Sequence, residues 1–198
     1  MANDIAGVLK TGERFLKYCE SAKLDAEILL AHVLNKDRSF LKARPEFTLN
    51  AAQENLFLDL IERRKQLEPI AYLLGEKEFW SLRFKVNQQV LVPRPETEHL
   101  VNYALNCADV LKGRGIRDIK ILEIGTGSGA ISAAIKSADR HLKVTATDVS
   151  EKALKVAEKN FRDLNLEINI FQSDLLDKIL DGSFNILVAN LPYIGEVE

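Results

Sequence analysis

The second half of the chain alternates short runs rich in Ile and Val with helical segments, and this alternation limits the possible folds more than any other feature. The runs at 119–124, 143–147, 168–171 and 184–189 are predicted strands, with predicted helices at 96–111, 130–136 and 151–164. Strands that alternate with helices pair in parallel, because each return to the sheet needs a crossover. We therefore expect an α/β fold with a doubly wound sheet, whose ligands bind beyond the carboxyl ends of the strands.

The first part of the chain is predicted to be helical. Apolar residues recur at helical spacing from residue 4 to about residue 74. Ser21 suits the N-cap of a second helix, and Asn50 with Gln53 suits a capping box. We interpret the basic run at 63–65 as a solvated helix face. The pattern as a whole predicts a small all-α domain.

A hairpin is predicted between the two parts. Residues 79–86 alternate as a strand does, Asn87 and Gln88 suit a turn, and residues 90–92 suit the returning strand. We therefore expect a helical domain at 1–75, a β-hairpin linker at 76–95 and an α/β domain at 96–198.

The charge balance and the cysteine content narrow the class of protein. With 27 Lys and Arg against 29 Asp and Glu, the net charge is −2, which argues against a broad cationic surface for nucleic acid. No apolar run reaches the roughly 18–20 residues that span a bilayer, and the first residues do not resemble a secretion signal. Cys19 and Cys107 fit a reducing compartment, and His32, His99 and His141 stand singly. We expect a cytoplasmic monomer without a metal site.

A glycine-rich turn follows the first strand of the α/β part. Gly125, Gly127 and Gly129 have the spacing G-x-G-x-G, and glycine lets a backbone turn tightly and approach a ligand. Dinucleotide sites have G-x-G-x-x-G, with the pyrophosphate at the helix N-terminus. S-adenosylmethionine has no pyrophosphate, and its cationic end suits an acidic residue such as Glu123. The predicted cofactor-binding residues of this turn are Glu123, Gly125, Thr126, Gly127, Ser128 and Gly129.

Two carboxylates follow the next two strands. Asp148 closes the second strand, where an acidic residue can hold the two hydroxyls of a ribose. Asp174 follows the third strand, where it can accept a hydrogen bond from an adenine amino group while Leu175 packs on the ring. A helix N-cap is an equally good interpretation of Asp174. These three residues extend the predicted nucleoside site.

The fourth strand is followed by Asn190-Leu191-Pro192-Tyr193. The order G-x-G-x-G, acidic residue, S-D and N-x-P-Y resembles methyltransferases that act on planar amide or amine nitrogens. The upstream segments 68–75, 78–80 and 91–98 are similar to hallmarks of the release-factor glutamine methyltransferases (PrmC, also called HemK). The resemblance covers essentially the whole chain. It implies a Rossmann-like class I methyltransferase domain that uses S-adenosylmethionine.

The resemblance also implies the reaction, which is methyl transfer to the glutamine side-chain amide in the Gly-Gly-Gln motif of a peptide chain release factor. The side-chain oxygen of Asn190 and the carbonyl of Leu191 would accept hydrogen bonds from the amide NH2, which holds the nitrogen in line with the methyl group. Tyr193 offers a flat face for the planar group. The predicted catalytic residues are Asn190, Pro192 and Tyr193, and the predicted substrate-binding residues are Asn190, Leu191, Pro192, Tyr193, Arg94 and Glu96. Asn190 is also expected to contact the cofactor, and the helical domain to recognise the release factor.

Leu191 departs from the family, which usually has proline there. N-L-P-Y also resembles ribosomal-RNA adenine dimethyltransferases, so an adenine-N6 methyltransferase acting on rRNA or DNA is the main alternative. Those enzymes lack the P-R-P-E-T-E segment at 93–98 and the helical domain. A nicotinamide-dependent oxidoreductase and a non-catalytic binding module remain open as well.

Only eight residues follow Asn190, whereas the family's fold has seven strands. We therefore expect an incomplete sheet with a raw edge at its fourth strand, in a C-terminally truncated member of the family.

Overall fold

The computed structural model of the protein describes residues 4–180 and 182–191. The chain separates into two units, Met1–Gly75 and Glu76–Glu198. The first unit is helical, and the strands of the described residues lie in the second.

The helical unit confirms the helical character predicted from residue 4 to about residue 74, and its described residues form five helices. They are α1 (Ile5–Phe15), α2 (Ala22–Leu34), α3 (Arg38–Ala43), α4 (Ala51–Lys65) and α5 (Ile70–Leu74). The capping box of α4 is present, because Oδ1 of Asn50 accepts a hydrogen bond from the Gln53 amide at 2.9 Å and the Asn50 amide donates to Oε1 of Gln53 at 3.0 Å. Ser21 stands at the N-cap of α2, but its hydroxyl donates to Oδ1 of Asp25 instead of capping the backbone.

The core of the helical unit lies between α1, α2 and α4. Its fully buried side chains include Leu16, Leu29, Phe57 and Ile61. Gly12 is required where α1 crosses α4, since a Cβ there would lie 2.8 Å from Cζ of Phe57. Each such buried apolar side chain contributes roughly 1.5–3 kcal/mol, so this unit has a hydrophobic core of its own.

The prediction of a solvated face at 63–65 is wrong for Arg64. Its Nε donates to Oδ2 of Asp25 at 2.7 Å, and the two side chains are only 18% and 6% exposed. Arg63 forms a bidentate ion pair with Glu68, in which Nε donates to Oε2 at 2.9 Å and Nη2 donates to Oε1 at 2.7 Å. A buried carboxylate needs a charged or hydrogen-bonding partner, and a partner 39 positions away in the sequence leaves no trace in the local pattern.

The hairpin turns seven residues earlier than predicted. Strand β1 (Glu76–Phe79) pairs antiparallel with β2 (Leu82–Lys85), and Phe79 lies opposite Leu82. Trp80 and Ser81 form the turn with φ of 53° and 57°, and positive φ at both central residues matches the twist of a two-residue hairpin. A turn does form at Asn87 and Gln88, where the Val90 amide donates to the carbonyl of Asn87 at 3.1 Å, but it is not the hairpin turn. The predicted returning strand at 90–92 is wrong.

Trp80 explains this error. It continues the alternation of apolar residues at even-numbered positions and so resembles a strand residue in the sequence. In the structure its backbone amide donates to Oε1 of Glu98 at 2.9 Å, which secures a conformation that bulky residues seldom adopt. The partner that stabilises the turn lies on the next helix.

The α/β sheet confirms the predicted architecture. Its strands are β3 (Lys120–Ile124), β4 (Lys143–Asp148), β5 (Asn169–Gln172) and β6 (Ile186–Ala189), all parallel, in the order β5-β4-β3-β6. The chain moves from β3 to β4 and β5 on one side, and then crosses to β6 on the other. This change of direction next to β3 opens a crevice at the carboxyl ends of β3 and β6, where ligands bind in doubly wound sheets.

Three helices accompany the sheet. They are α6 (Glu98–Gly113), which follows a 3₁₀ turn at Pro95–Thr97, then α7 (Ala130–Ala138) and α8 (Glu151–Asp163). Helices α7 and α8 begin at the predicted residues and α6 begins two positions after its predicted start, because their apolar faces are regular. Within residues 4–180 and 182–191, no helix combines the length and apolar character that a membrane span requires.

Candidate functional site

A cavity of about 240 Å³ lies at the carboxyl ends of the strands. It brings together most of the predicted site residues that follow strand ends, namely Gly125, Gly127, Asp148, Asp174, Leu175, Asn190 and Leu191. A smaller cavity of about 50 Å³ shares Gly125, Gly127 and Asn190 with the first. The smaller cavity adds Arg94, Thr97, Glu123, Thr126 and Ser128. The residues that the strand-end rule singled out therefore line two neighbouring cavities.

The glycine loop is shaped by close approach as well as by its turn. Gly129 has φ of 82°, and a Cβ there would lie 2.4 Å from Cε1 of Phe161 on α8. Gly125 has φ of 70°, and a Cβ there would lie 2.6 Å from Cδ2 of Leu191. A side chain at either position would thus displace a neighbour and also strain the backbone.

Glu123 lies beneath this loop and is 2% exposed. Its Oε2 accepts hydrogen bonds from the Thr126 hydroxyl at 2.7 Å, from the Ser132 amide at 3.0 Å and from the Ser132 hydroxyl. These contacts fasten the loop to the first turns of α7. Burial raises the pKa of the Glu123 carboxyl to about 7, and the negative charge of Asp148 acts in the same direction.

Asp148 joins the loop to the start of α8. Its Oδ2 accepts from the Gly127 amide at 2.9 Å, and its Oδ1 accepts from the Ser150 amide at 2.9 Å. A carboxylate oxygen can accept more than one hydrogen bond. Backbone amides therefore orient the Asp148 carboxylate. Its oxygens can still accept further hydrogen bonds in the cavity of about 240 Å³, which Asp148 lines.

Asp174 and Leu175 lie in the loop after β5. Residues 175–178 form a turn and no helix starts there, so the interpretation of Asp174 as a helix N-cap is wrong. Leu175 has φ of 43° and is 53% exposed. An apolar side chain held in this unfavourable conformation at the rim of the cavity is available to contact a flat ring.

Asn190 follows β6 and lies where the two cavities meet. Its Nδ2 donates to the hydroxyl of Thr97 at 3.2 Å. Leu191 packs its Cδ2 over the backbone of Gly125. Pro192 and Tyr193, which complete the predicted motif, lie outside the described residues.

The two predicted residues of the 93–98 segment separate in the structure. Arg94 lines the smaller cavity beside the glycine loop. Glu96 is exposed on the 3₁₀ turn at Pro95–Thr97 and borders neither of these two cavities. The adjacent Glu98 instead secures the hairpin turn through the amide of Trp80.

Sequence reasoning missed Asn160, which is 1% exposed on α8. Its Nδ2 donates to the carbonyl of Ser128 at 2.8 Å and to that of Lys85 at 3.0 Å, while its Oδ1 accepts from the Lys85 amide at 2.8 Å. It therefore ties both the glycine loop and β2 to α8. An asparagine among the apolar positions of an amphipathic helix was the available signal, because a buried amide must find partners.

The described residues contain no group of three or more His, Cys, Asp or Glu side chains placed to hold a metal ion. Cys19 and Cys107 are free thiols.

This arrangement defines the class of protein. A parallel sheet with a glycine loop after β3, a carboxylate at the end of β4 and an asparagine after β6 is the arrangement of a Rossmann-like class I methyltransferase domain. Residues 108–197 match the family model of the methyltransferase small domain, and residues 7–75 match that of the PrmC N-terminal domain.

Curated relatives identify the family. The release factor glutamine methyltransferase of Shewanella oneidensis is 43% identical over 90% of this chain and 61% of its own length. The release factor glutamine methyltransferase of Coxiella burnetii is 42% identical over 89% of this chain and 62% of its own length. The enzyme of the same name from Leptospira interrogans is 40% identical over 97% of this chain and 68% of its own length. The chain belongs to the release factor glutamine methyltransferase family, and it spans about three-fifths to two-thirds of the length of these relatives.

Among solved structures, the N-terminal domain of human METTL16 in complex with SAH is similar over 85% of this chain and 66% of that chain, with 19% identity and a TM-score of 0.47.

Proposed function

We propose that the chain transfers a methyl group from S-adenosylmethionine to the side-chain amide of the glutamine in the Gly-Gly-Gln motif of a release factor. Relatives at 40–43% identity carry the name of this activity. The observation that carries the proposal is the position of Asn190, at the meeting point of the two cavities and directly after β6. An acceptor amide held there would lie beside a ligand of the glycine loop.

The residues of the two cavities suit S-adenosylmethionine. When bound, this cofactor supplies an electrophilic methyl group on a sulfonium centre. Asp148 offers carboxylate oxygens to the ribose hydroxyls, and Asp174 with Leu175 offers an acceptor and an apolar contact to the adenine. Gly127 leaves the loop open at this point, since a Cβ there would meet no atom within 4 Å.

Glu123 and Arg94 suit the amino-acid end of the cofactor. Both border the smaller cavity, which residues of the glycine loop also line. The ionised form of Glu123 attracts the ammonium group and the sulfonium, and these cations in turn favour ionisation of its carboxyl. The guanidinium of Arg94 pairs with the carboxylate of the cofactor. The smaller cavity thus provides opposite charges for a group that itself carries both.

Asn190 and Leu191 suit the acceptor. An amide nitrogen is a weak nucleophile, because its lone pair is delocalised into the carbonyl. The Oδ1 of Asn190 and the backbone carbonyl of Leu191 are acceptors that hold the NH2 in place and favour the positive charge it gains during attack. Pro192 and Tyr193 are proposed to complete this contact, with Tyr193 as a flat face.

We further propose a cytoplasmic monomer that acts without a metal. Displacement at a methyl group needs positioning of the two partners and no Lewis acid. The release factor is the proposed partner, and the helical unit is proposed to recognise it.

The test offers the purified chain radiolabelled S-adenosylmethionine together with a release factor, the same factor with its motif glutamine replaced by alanine, and ribosomal RNA. We expect label in the unaltered release factor only. Label in RNA alone would establish the adenine-N6 alternative, and equal label in the glutamine variant would place the reaction on another residue. Asn190→Ala is the control for the site, and it should bind the cofactor with a Kd within a few-fold of the unaltered chain while transferring no methyl group.

A further inference from the structure

We propose that Thr97 is a positioning residue, which anchors the side-chain amide of Asn190 at the meeting point of the two cavities, where it can contact the acceptor. This inference rests on the proposed function and names a residue that the reaction uses indirectly. In the proposed reaction, Thr97 contacts neither the methyl donor nor the acceptor amide, and it acts through Asn190.

The two side chains meet across 93 positions of the chain. The Nδ2 of Asn190 donates to Oγ1 of Thr97 at 3.2 Å, and both residues are half-buried. Both also border the smaller cavity, whereas Asn190 alone of the two borders the larger one. Among the described residues, the hydrogen bond that the Asn190 side chain makes is the one from Nδ2, and the residue borders both cavities.

Thr97 occupies a position where its hydroxyl would ordinarily serve the helix. It is the N-cap residue of α6, yet its side chain makes no capping hydrogen bond. A threonine at an N-cap usually accepts from a backbone amide of the first turn. Thr97 itself has helical φ and ψ of −66° and −18° at the end of the 3₁₀ turn, so its hydroxyl is not placed to cap the helix and contacts Asn190 instead.

The segment around Thr97 is held firmly. The Thr97 amide donates to the carbonyl of Arg94 at 3.0 Å, which closes the 3₁₀ turn. The next residue, Glu98, accepts from the amide of Trp80 at 2.9 Å. Because the backbone on both sides is fixed, the hydroxyl is a fixed reference for the Asn190 amide.

Orientation matters because the two ends of an asparagine amide have nearly the same shape and opposite hydrogen-bonding character. The acceptor NH2 is a donor and needs Oδ1. With the amide reversed, two NH2 groups would face each other, and the hydrogen bond that aligns the nitrogen would be lost. The Thr97 hydroxyl can accept from Nδ2 or donate to Oδ1, so it holds the Asn190 side chain in place, and the donor NH2 of the acceptor selects the orientation that offers Oδ1.

The first test observes the Asn190 amide directly by NMR. In protein labelled with ¹⁵N-asparagine, the Asn190 NH2 signal is assigned by its loss in Asn190→Ala, and exposed Asn106 on α6 serves as the internal reference. Thr97→Val keeps the shape and removes the acceptor, so we expect the Asn190 NH2 to exchange with water roughly 3- to 10-fold faster, as the loss of one hydrogen bond implies. Thr97→Ser should retain the slower exchange. An unchanged Asn190 signal in Thr97→Val would overturn the proposal.

The second test is kinetic. Thr97→Val should lower kcat for the release factor by roughly 3- to 10-fold, with the Kd for S-adenosylmethionine within about two-fold of the unaltered chain, and Thr97→Ser should restore kcat. A weakened Kd at constant kcat would make Thr97 a cofactor ligand instead and contradict the proposal. The NMR result stands whether or not the chain methylates a release factor, so failure of this inference and failure of the proposed function are distinguishable.

Discussion

The buried carboxyl of Glu123, which lies beneath the glycine loop, should make the stability of the folded chain depend on pH. Burial raises its pKa to about 7, against roughly 4.3 for an exposed glutamate. The raised pKa means that the protonated form is favoured in the folded chain. The stabilisation is therefore complete below about pH 4 and is lost as the pH rises through about 7.

Glu123→Gln should remove this pH dependence. Glutamine keeps an acceptor for Thr126 and Ser132 and cannot ionise. We expect the free energy of unfolding of the unaltered chain to fall relative to that of the variant between pH 5 and pH 8, by at most about 3 kcal/mol. Urea unfolding at a series of pH values measures this difference, and parallel curves for the two proteins would show that Glu123 does not titrate in this range.

Asp148→Ala should weaken the affinity for S-adenosylmethionine by about 1–3 kcal/mol, because hydroxyls of the ligand would lose a charged hydrogen-bond partner. Calorimetric titration measures this change. Asp163→Ala is the matched control, because Asp163 is an exposed carboxylate at the end of α8. An unchanged Kd in Asp148→Ala would assign the ribose to another residue.

Residues that follow strand ends could be predicted from the sequence, and residues that act across the fold could not. Gly125, Asp148 and Asn190 meet because parallel strands end at one edge of the sheet. Thr97 and Asn160 act on partners 93 and 32 positions away, and no local pattern signals such a pairing.

The hairpin shows the same limit for secondary structure elements. The alternation at 79–86 predicted a single strand, whereas the structure turns at Trp80 and Ser81. A two-residue turn is usually marked by Gly, Asn or Asp, and here it contains none of them. The carboxylate of Glu98 supplies the support that those residue types usually provide.

Asn160 connects α8 to β2 and to the glycine loop, so its removal should weaken the contacts among all three. Asn160→Ala leaves the carbonyls of Ser128 and Lys85 and the amide of Lys85 without their partner. We expect a loss of about 2–3 kcal/mol in the free energy of unfolding, together with a weaker affinity for S-adenosylmethionine because the glycine loop loses its support at Ser128. Lys159→Ala is the control, since Lys159 is exposed on the same helix. Urea unfolding and calorimetric titration measure the two effects, and an unchanged Kd would separate the loop from α8.

The division into two units makes a prediction about the whole molecule. The described residues that line the two cavities around the glycine loop belong to Glu76–Glu198, whereas the pair of Arg64 and Asp25 belongs to the helical unit. Removing one partner of a buried ion pair leaves an uncompensated charge, which costs about 3 kcal/mol or more. Arg64→Ala should therefore destabilise the helical unit and leave the cofactor site intact.

The chain contains one tryptophan, Trp80, and it belongs to the second unit. In Arg64→Ala we expect the urea transition seen by far-UV circular dichroism to begin at lower urea, because that signal includes the helices of the first unit. The transition seen by Trp80 fluorescence and the Kd for S-adenosylmethionine should stay as they are in the unaltered chain. Lys23→Ala, which removes an exposed positive charge from α2, should move neither signal. If both transitions shifted together in Arg64→Ala, the two units would unfold as one, and the stability of the cofactor site would depend on the helical core.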